Sequence, residues 1–200
     1  MLIGITGKMG SGKDFILTNY ILPFLKSKNL SSLQVSFADE LKVNAMVKNG
    51  LSFEDVFINK TKESRKMLQL QGTEQGRDIY GEDIWIKYFD AWVKVHKSRG
   101  IQVFLNADTR FKNELYYIKE NGGFLIKIVA PKRNEKRLLL ESKGDSVVLN
   151  SIKNHKSECD LDDLSDSLFN LVIYNDPECD INSDELINLL DLHFKSLNVI

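Results

Sequence analysis

The stretch Gly7-Lys8-Met9-Gly10-Ser11-Gly12-Lys13-Asp14 follows the apolar run Leu2-Ile3-Gly4-Ile5-Thr6 and leads into Phe15-Ile16-Leu17. A glycine-rich turn in that setting joins a buried strand to a helix, and its spacing G-x-x-x-x-G-K is that of a phosphate-binding P-loop. The glycines let successive backbone N–H groups converge on phosphate oxygens, and the lysine adds a full positive charge. The helix behind the loop contributes the partial positive charge of its N-terminus. Asp14 stands where Ser or Thr is usual. A carboxylate has no hydroxyl to give a magnesium ion, but it can hold one of the metal's waters or cap the helix. The alternative is a glycine-rich turn with no phosphate role.

At 200 residues, 42% apolar and net charge −1, the chain is long enough for one well-buried domain with at most a mobile appendage. A near-neutral balance without a basic block excludes a general nucleic-acid or membrane-surface binder, which needs excess Lys and Arg. Cys159 and Cys179 lack C-x-x-C spacing, so buried, reduced thiols are expected rather than a zinc or redox motif. His96, His155 and His193 are too scattered to suggest a metal site. With no cationic leader and no apolar run near the roughly 18 residues of a spanning helix, the expected location is a reducing, cytoplasmic compartment.

Apolar runs recur at Leu33 to Phe37, Ile101 to Asn106, Phe124 to Ala130 and Leu171 to Tyr174. Together with the first run, and alternating with helical patterns, they predict an α/β fold with a five-stranded parallel sheet. Within Glu82 to Arg99, Ile84, Trp85, Tyr88, Phe89, Trp92, Val95 and His96 recur at helical spacing, the pattern of a core-packing stripe. Pro23 should kink or end the first helix near Leu22. Gly122-Gly123 should end the helix from Lys112 to Asn121. The charged stretch from Lys132 to Asn154, interrupted at Lys143-Gly144-Asp145, is expected to form a mobile lid, and Ser183 to Leu197 a closing amphipathic helix. No internal repeat or interdomain linker stands out.

Ligands on an open parallel sheet bind beyond the carboxyl ends of the strands. The residues there are the P-loop, Ala38 to Lys42, Asp108-Thr109-Arg110, Lys132-Arg133 and Asn175-Asp176. Only six of the 27 basic residues are arginine, and Arg65, Arg77, Arg110, Arg133 and Arg137 all fall in candidate site segments. The rigid guanidinium fork matches phosphate oxygens where the lysine point charge does not, although surface ion pairs explain any single arginine as well. Arg65, Gln69, Gly72, Thr73, Gly76 and Arg77 share a broad helical face stripped of bulk. Each interior glycine costs a helix about 1 kcal/mol, so something must approach this backbone closely, either a ligand or a neighbouring helix. Asp108, at a strand end, suits a carboxylate that holds magnesium or orients an oxygen, or else a simple N-cap. Ser157 with Asp160 fits a capping box.

These segments resemble the deoxynucleoside monophosphate kinases of viruses and phages, within the P-loop nucleoside monophosphate kinase group. The resemblance is carried by Gly7 to Asp14, Phe37-Ala38-Asp39-Glu40-Leu41-Lys42, Gly72-Thr73-Glu74-Gln75-Gly76-Arg77 with Asp83-Ile84-Trp85, Asp108 to Glu114, and His155-Lys156-Ser157-Glu158. It implies a three-layer P-loop sandwich forming one kinase domain over 1–200, with an acceptor-binding helical region near 39–99 and a lid near 131–156. By the same resemblance, ATP is held by Gly7, Lys8, Met9, Gly10, Ser11, Gly12, Lys13 and Asp14, with Asn175. The acceptor is bordered by Asp39, Lys42, Gln69, Gly72, Thr73, Gly76 and Trp85, and its phosphate is held by Arg65, Arg77 and Arg110. Lys13, Arg110, Arg133 and Arg137 are the implied catalytic charges. Mg2+ is the implied cofactor, with Asp14 and Asp108 near it, directly or through water. The implied partners are ATP and a deoxynucleoside monophosphate, with neither a nucleic-acid polymer nor a membrane, and a homodimer stays open. For a viral protein the location would be the host cytoplasm.

Animal-type phosphomevalonate kinases share Ser11 to Phe15, Asp108-Thr109-Arg110 and a close match to Ser157-Glu158-Cys159 with Leu161-Asp162, and are the runner-up. Gly72-Thr73-Glu74, Gly76-Arg77 and Asp83-Ile84-Trp85 favour the nucleotide enzyme. A guanine-nucleotide switch should carry N-K-x-D, whereas Asn59-Lys60-Thr61-Lys62 ends in the wrong charge. A non-catalytic nucleotide binder would need no acceptor arginines. The expected reaction is therefore Mg2+-dependent transfer of the ATP γ-phosphoryl group to a deoxynucleoside 5′-monophosphate.

Overall fold

Four short apolar runs rich in β-branched or aromatic side chains, with the edge segment Ser32-Leu33-Gln34, form the sheet. In the computed structural model, which describes residues 1–59, 61–179 and 181–198, the strands are β1 (Leu2–Gly7), β2 (Ser32–Gln34), β3 (Val103–Asn106), β4 (Phe124–Val129) and β5 (Leu171–Tyr174). All pairings are parallel, in the order β2-β3-β1-β4-β5. The chain divides into two compact units, one of residues 1–34 and 101–200 and one of residues 35–100. The whole sheet belongs to the first.

Alternation along each strand serves two helical layers. Ile3, Ile5, Val103, Leu105, Phe124, Ile126 and Ile128 share a core with Ile16, Ile21 and Leu25 of the helical run 13–27 (α1) and with Leu186, Leu190 and Phe194 of the closing helix Ser183–Ser196. On the other face, a Cβ added to Gly4 would lie 2.6 Å from Ile118 Cδ1, so the helix Lys112–Glu120 packs directly on β1 there. Helices on both faces make the first unit a three-layer α/β sandwich of P-loop type. Strands buried on both faces must be apolar throughout, which is why they read as continuous runs. Each fully buried Phe or Leu in these layers contributes about 1.5–3 kcal/mol.

Several local expectations are corrected. Pro23 does not end the first helix. The run 13–27 that we call α1 passes through a π turn at Leu17–Ile21 and changes to α-helix at Leu22–Ser27, with Pro23 in the first turn after that change, so the proline marks a change of helix type instead of an end. Strand β2 stops at Gln34 rather than Phe37, because the Ser36 N–H turns to the Asp39 carboxylate at 2.7 Å and starts the helix Asp39–Asn49. Its apolar residues Val35 and Phe37 are nonetheless buried. The charged stretch after β4 is interrupted where expected: it forms two helices, α2 (Pro131–Ser142) and Ser146–Lys153, broken where Lys143 and Gly144 take left-handed backbone. The thiols are not buried. Cys159 is exposed at the end of a four-residue helix, and Cys179 is half-buried in the turn after β5.

The second unit is helical. It comprises Asp39–Asn49, a π turn at Glu54–Ile58, a helical run over 62–80 and Ile84–Ser98. The run 62–80 contains a second π turn, Thr73–Arg77, whose extra residue rotates the side chains beyond it relative to those before it. The aromatic stripe of Ile84–Ser98 is narrower than its periodicity predicts. Trp85 and Phe89 are buried, with Phe89 against Phe37 at 4.3 Å between ring centroids, whereas Tyr88, Trp92 and Val95 are partly exposed. Trp92 instead donates from Nε1 to Glu40 at 3.2 Å and stacks on His96, an amphipathic side chain at a wet boundary. Lys60 of the Asn59 to Lys62 string lies outside the described residues.

Candidate nucleotide site

Because every strand is parallel, the loops leaving β1, β3, β4 and β5 gather at one edge of the first unit. The P-loop there is shaped by backbone that only glycine adopts easily: Gly10 has φ +77° and Gly12 φ +93°. Gly12 is the N-cap of α1, and Asp14 lies exposed in the first helical turn. The Lys13 ammonium folds over the loop and donates to the carbonyls of Gly7 at 2.7 Å and Lys8 at 3.1 Å. Burial, then the charge of Arg110, lowers the Lys13 pKa, while Asp108, Glu158 and Asp14 act in the opposite sense. These five ionisable groups therefore form one electrostatic cluster. The buried Ser11 hydroxyl meets no partner among the described residues.

The loop after β3 is held from both ends. Asn106 Oδ1 accepts from the Asp108 N–H and the Thr109 hydroxyl, each at 3.0 Å, and the buried Glu114 carboxylate accepts from the N–H groups of Arg110 at 2.9 Å and Phe111 at 3.2 Å. The result is a rigid mount for Asp108 and Arg110. Arg110 Nε donates to Asp108 and Nη1 donates to Glu158 at 3.2 Å. The Asp108 carboxylate, against the opposing effect of burial, raises the Arg110 pKa well above its already high value, so the guanidinium stays charged.

Helix α2 rests on the tip of the P-loop. A Cβ on Gly10 would lie 2.8 Å from Arg137 Cβ, and Asn134 Nδ2 donates to the Met9 carbonyl at 2.8 Å. Asp176 caps this helix by accepting from the N–H groups of Lys132 and Arg133 at 3.0 and 3.2 Å. Arg133 Nε donates to the Asn175 carbonyl, and Arg137 pairs with Glu141. Asn175 Nδ2 donates to the Ser11 carbonyl at 2.8 Å, so this residue supports the loop backbone directly. The first unit thus brings together Gly7 to Asp14, Asp108, Arg110, Arg133, Arg137 and Asn175.

In the second unit, Asp39 and Lys42 pair with each other at 3.2 Å. Arg77, Gly72, Gly76 and Trp85 also cluster. Trp85 Nε1 donates to the Gly72 carbonyl at 2.9 Å, as Arg77 Nη1 does at 3.3 Å, and a Cβ on Gly76 would lie 2.5 Å from Trp85 Cζ2. Close packing of tryptophan therefore accounts for Gly76. Gly72 is buried near Leu41, Arg65 is half-buried, and Gln69 and Thr73 are exposed. Beside this cluster lies a pocket of about 160 Å³ whose lining includes Asn44, Gln71, Gln75, Gly76, Trp85 and Tyr88.

Sequence reasoning left Asn106, Glu114, Asn134 and Glu158 without roles. Glu114 and Glu158 lie inside the quoted motifs, but their partners are not adjacent in sequence. The proposed capping box at Ser157 is replaced by His155, whose Nδ1 accepts from the Ser157 N–H at 3.3 Å. Among the described residues no three His, Cys, Asp or Glu side chains form a metal cluster, and no helix is long and apolar enough to cross a membrane. A magnesium held chiefly by phosphate oxygens and water asks for only one or two carboxylates, and Asp14 and Asp108 both act on Lys13.

No family model matches the chain. Over 151 residues, 66% of this chain and 75% of the relative, it is 33% identical to a protein of Acanthamoeba polyphaga mimivirus named "Putative deoxynucleotide monophosphate kinase". Shikimate kinase from Aquifex aeolicus vf5 aligns over 100% of this chain and 99% of its own with a TM-score of 0.42 and 14% identity, a likeness too loose to carry an argument.

Proposed function

The chain belongs to the deoxynucleotide monophosphate kinase family, and on that premise we propose that it transfers the γ-phosphoryl group of ATP to deoxynucleoside 5′-monophosphates, forming the diphosphate and ADP. The observation that carries this reading is the convergence of Lys13 and Arg110 on one P-loop: two cations in a single electrostatic cluster, one over the loop and one on a rigid mount. Phosphoryl transfer through a loose transition state needs positioning and charge neutralisation more than covalent chemistry. The acceptor phosphate is already ionised, so the protein has no proton to remove.

In this reading the loop amides and Lys13 hold the donor phosphates, and Arg110 engages the phosphate that receives the group. Asp14 and Asp108 would hold Mg2+, directly or through water, and the ion would supply further charge neutralisation on the phosphates. The second unit supplies acceptor recognition through Arg65, Arg77 and its pocket. At about 160 Å³ that pocket is smaller than the ~300 Å³ at the lower end for whole ligands. It suits a flat base, with Trp85 and Tyr88 as aromatic walls and Asn44, Gln71 and Gln75 as amide edges. A panel of deoxynucleotides, ribonucleotides and mevalonate 5-phosphate, each with ATP and Mg2+, tests the proposal by ADP release. Turnover confined to mevalonate 5-phosphate, or absent throughout, overturns it.

Two variants probe the parts. Arg77→Lys keeps the charge but loses the fork, so KM for the deoxynucleoside monophosphate should rise clearly while KM for ATP stays near wild type. Equal changes for both substrates, or a lowered unfolding temperature, would return Arg77 to its contact with the Gly72 carbonyl. Arg133→Ala or Arg137→Ala should lower kcat roughly tenfold, about 1.4 kcal/mol on the barrier, with a smaller change in acceptor KM. Full kcat in both variants would make α2 a packing helix alone.

A further inference from the structure

Glu158 lies on a four-residue helix, Lys156–Cys159, between the charged helices and β5. Its side chain is only 9% exposed. A carboxylate so enclosed is costly unless its oxygens are matched by donors. Here each oxygen is matched by a different element of the site. Oε1 accepts from Arg110 Nη1 at 3.2 Å, and Oε2 accepts from the Met9 N–H of the P-loop at 3.1 Å.

The surrounding segment is tied to the same two loops. Lys8 donates to the Glu158 carbonyl and pairs with Asp162, while the Lys112 N–H donates to Asp160 at 2.8 Å. Arg110 is thereby gripped on two sides of its fork, at Nε by Asp108 and at Nη1 by Glu158. Two such bonds fix the plane of a guanidinium, not merely its location. Nη2 has no partner among the described residues, and the plane determines where it points.

We propose that Glu158 is a positioning residue that sets the Arg110 guanidinium in register with the P-loop, one carboxylate bridging the arginine and the Met9 amide. The proposal rests on the kinase reading above. Glu158 itself touches no phosphate, since a second anion there would repel the substrates. Its removal should therefore cost the arginine its alignment in the transition state, and should disturb ATP binding less, through the single Met9 amide that it holds.

The test is a double-mutant cycle on the full chain, with ATP, Mg2+ and the best deoxynucleoside monophosphate. Glu158→Gln should lower kcat about tenfold with a smaller change in KM for ATP, and should cost little or nothing further in kcat in an Arg110→Ala background. Glu158→Asp, which keeps the charge but is one methylene shorter, should fall between wild type and Glu158→Gln. If Glu158→Gln unfolds at a markedly lower temperature, Glu158→Asp takes its place in the cycle. Wild-type kcat in the variant used, or effects that add in full to Arg110→Ala, would overturn the positioning role while leaving the kinase reading standing. Absence of any wild-type turnover with the nucleotide panel would remove both.

Discussion

Replacing Lys13 with alanine is expected to leave a folded protein whose turnover falls by about 10²–10³, the loss of ~2.7–4 kcal/mol typical for one electrostatic contact to a transition state. The ammonium now bridges the carbonyls of Gly7 and Lys8, in a cluster where burial already disfavours its charge. Donor phosphates would supply the counter-charge that the folded protein gives only partly. The loop should survive the substitution, because its course is set by left-handed glycines and by the Asn175 amide rather than by the lysine alone. Steady-state kinetics alongside thermal unfolding checks this result. Near-wild-type turnover in a normally folded variant would take the P-loop out of the mechanism.

The second large effect is expected at Gly12. An alanine Cβ there would lie 2.3 Å from Asn175 Nδ2, and the residue would have to hold φ +93°. Left-handed backbone costs an ordinary residue roughly 1–2 kcal/mol, and displacing Asn175 leaves the Ser11 carbonyl without its donor for about another 1 kcal/mol. Gly12→Ala should therefore lose on the order of 2–3 kcal/mol of stability and weaken ATP binding together. Urea unfolding and a nucleotide titration measure the two losses. Gly12→Ala with unchanged midpoint and ATP affinity would show that the loop can relax without cost, contrary to the packing described.

The sheet was the most legible part of this chain. Strands covered on both faces must be apolar along their whole length, and a glycine loop between the first strand and a helix has few other uses. Boundaries were less legible where a side chain competes with the backbone. Strand β2 ends early because the Asp39 carboxylate takes the Ser36 N–H, and α1 passes Pro23 because a π turn precedes it. Neither event leaves a periodic trace. The glycines of the helical run 62–80 showed that something approaches closely, and at Gly76 it is Trp85, named by the same motif but nine residues away.

By itself the sequence determined the α/β class, the P-loop between β1 and α1, and the strand-end segments that carry Asp108, Arg110 and Asn175. All of these follow from local chemistry: periodicity, glycine spacing and the scarcity of arginine. Only the tertiary structure decided which partner each charge receives. Met9 and Glu158 are 149 residues apart, Ser11 and Asn175 are 164 apart, and Arg110 and Glu158 are 48 apart. In a parallel sheet such residues meet because crossover connections return successive strand ends to one edge. The pairing of a buried carboxylate is then chosen by the donors that face it, which depends on the packed geometry and not on neighbouring letters.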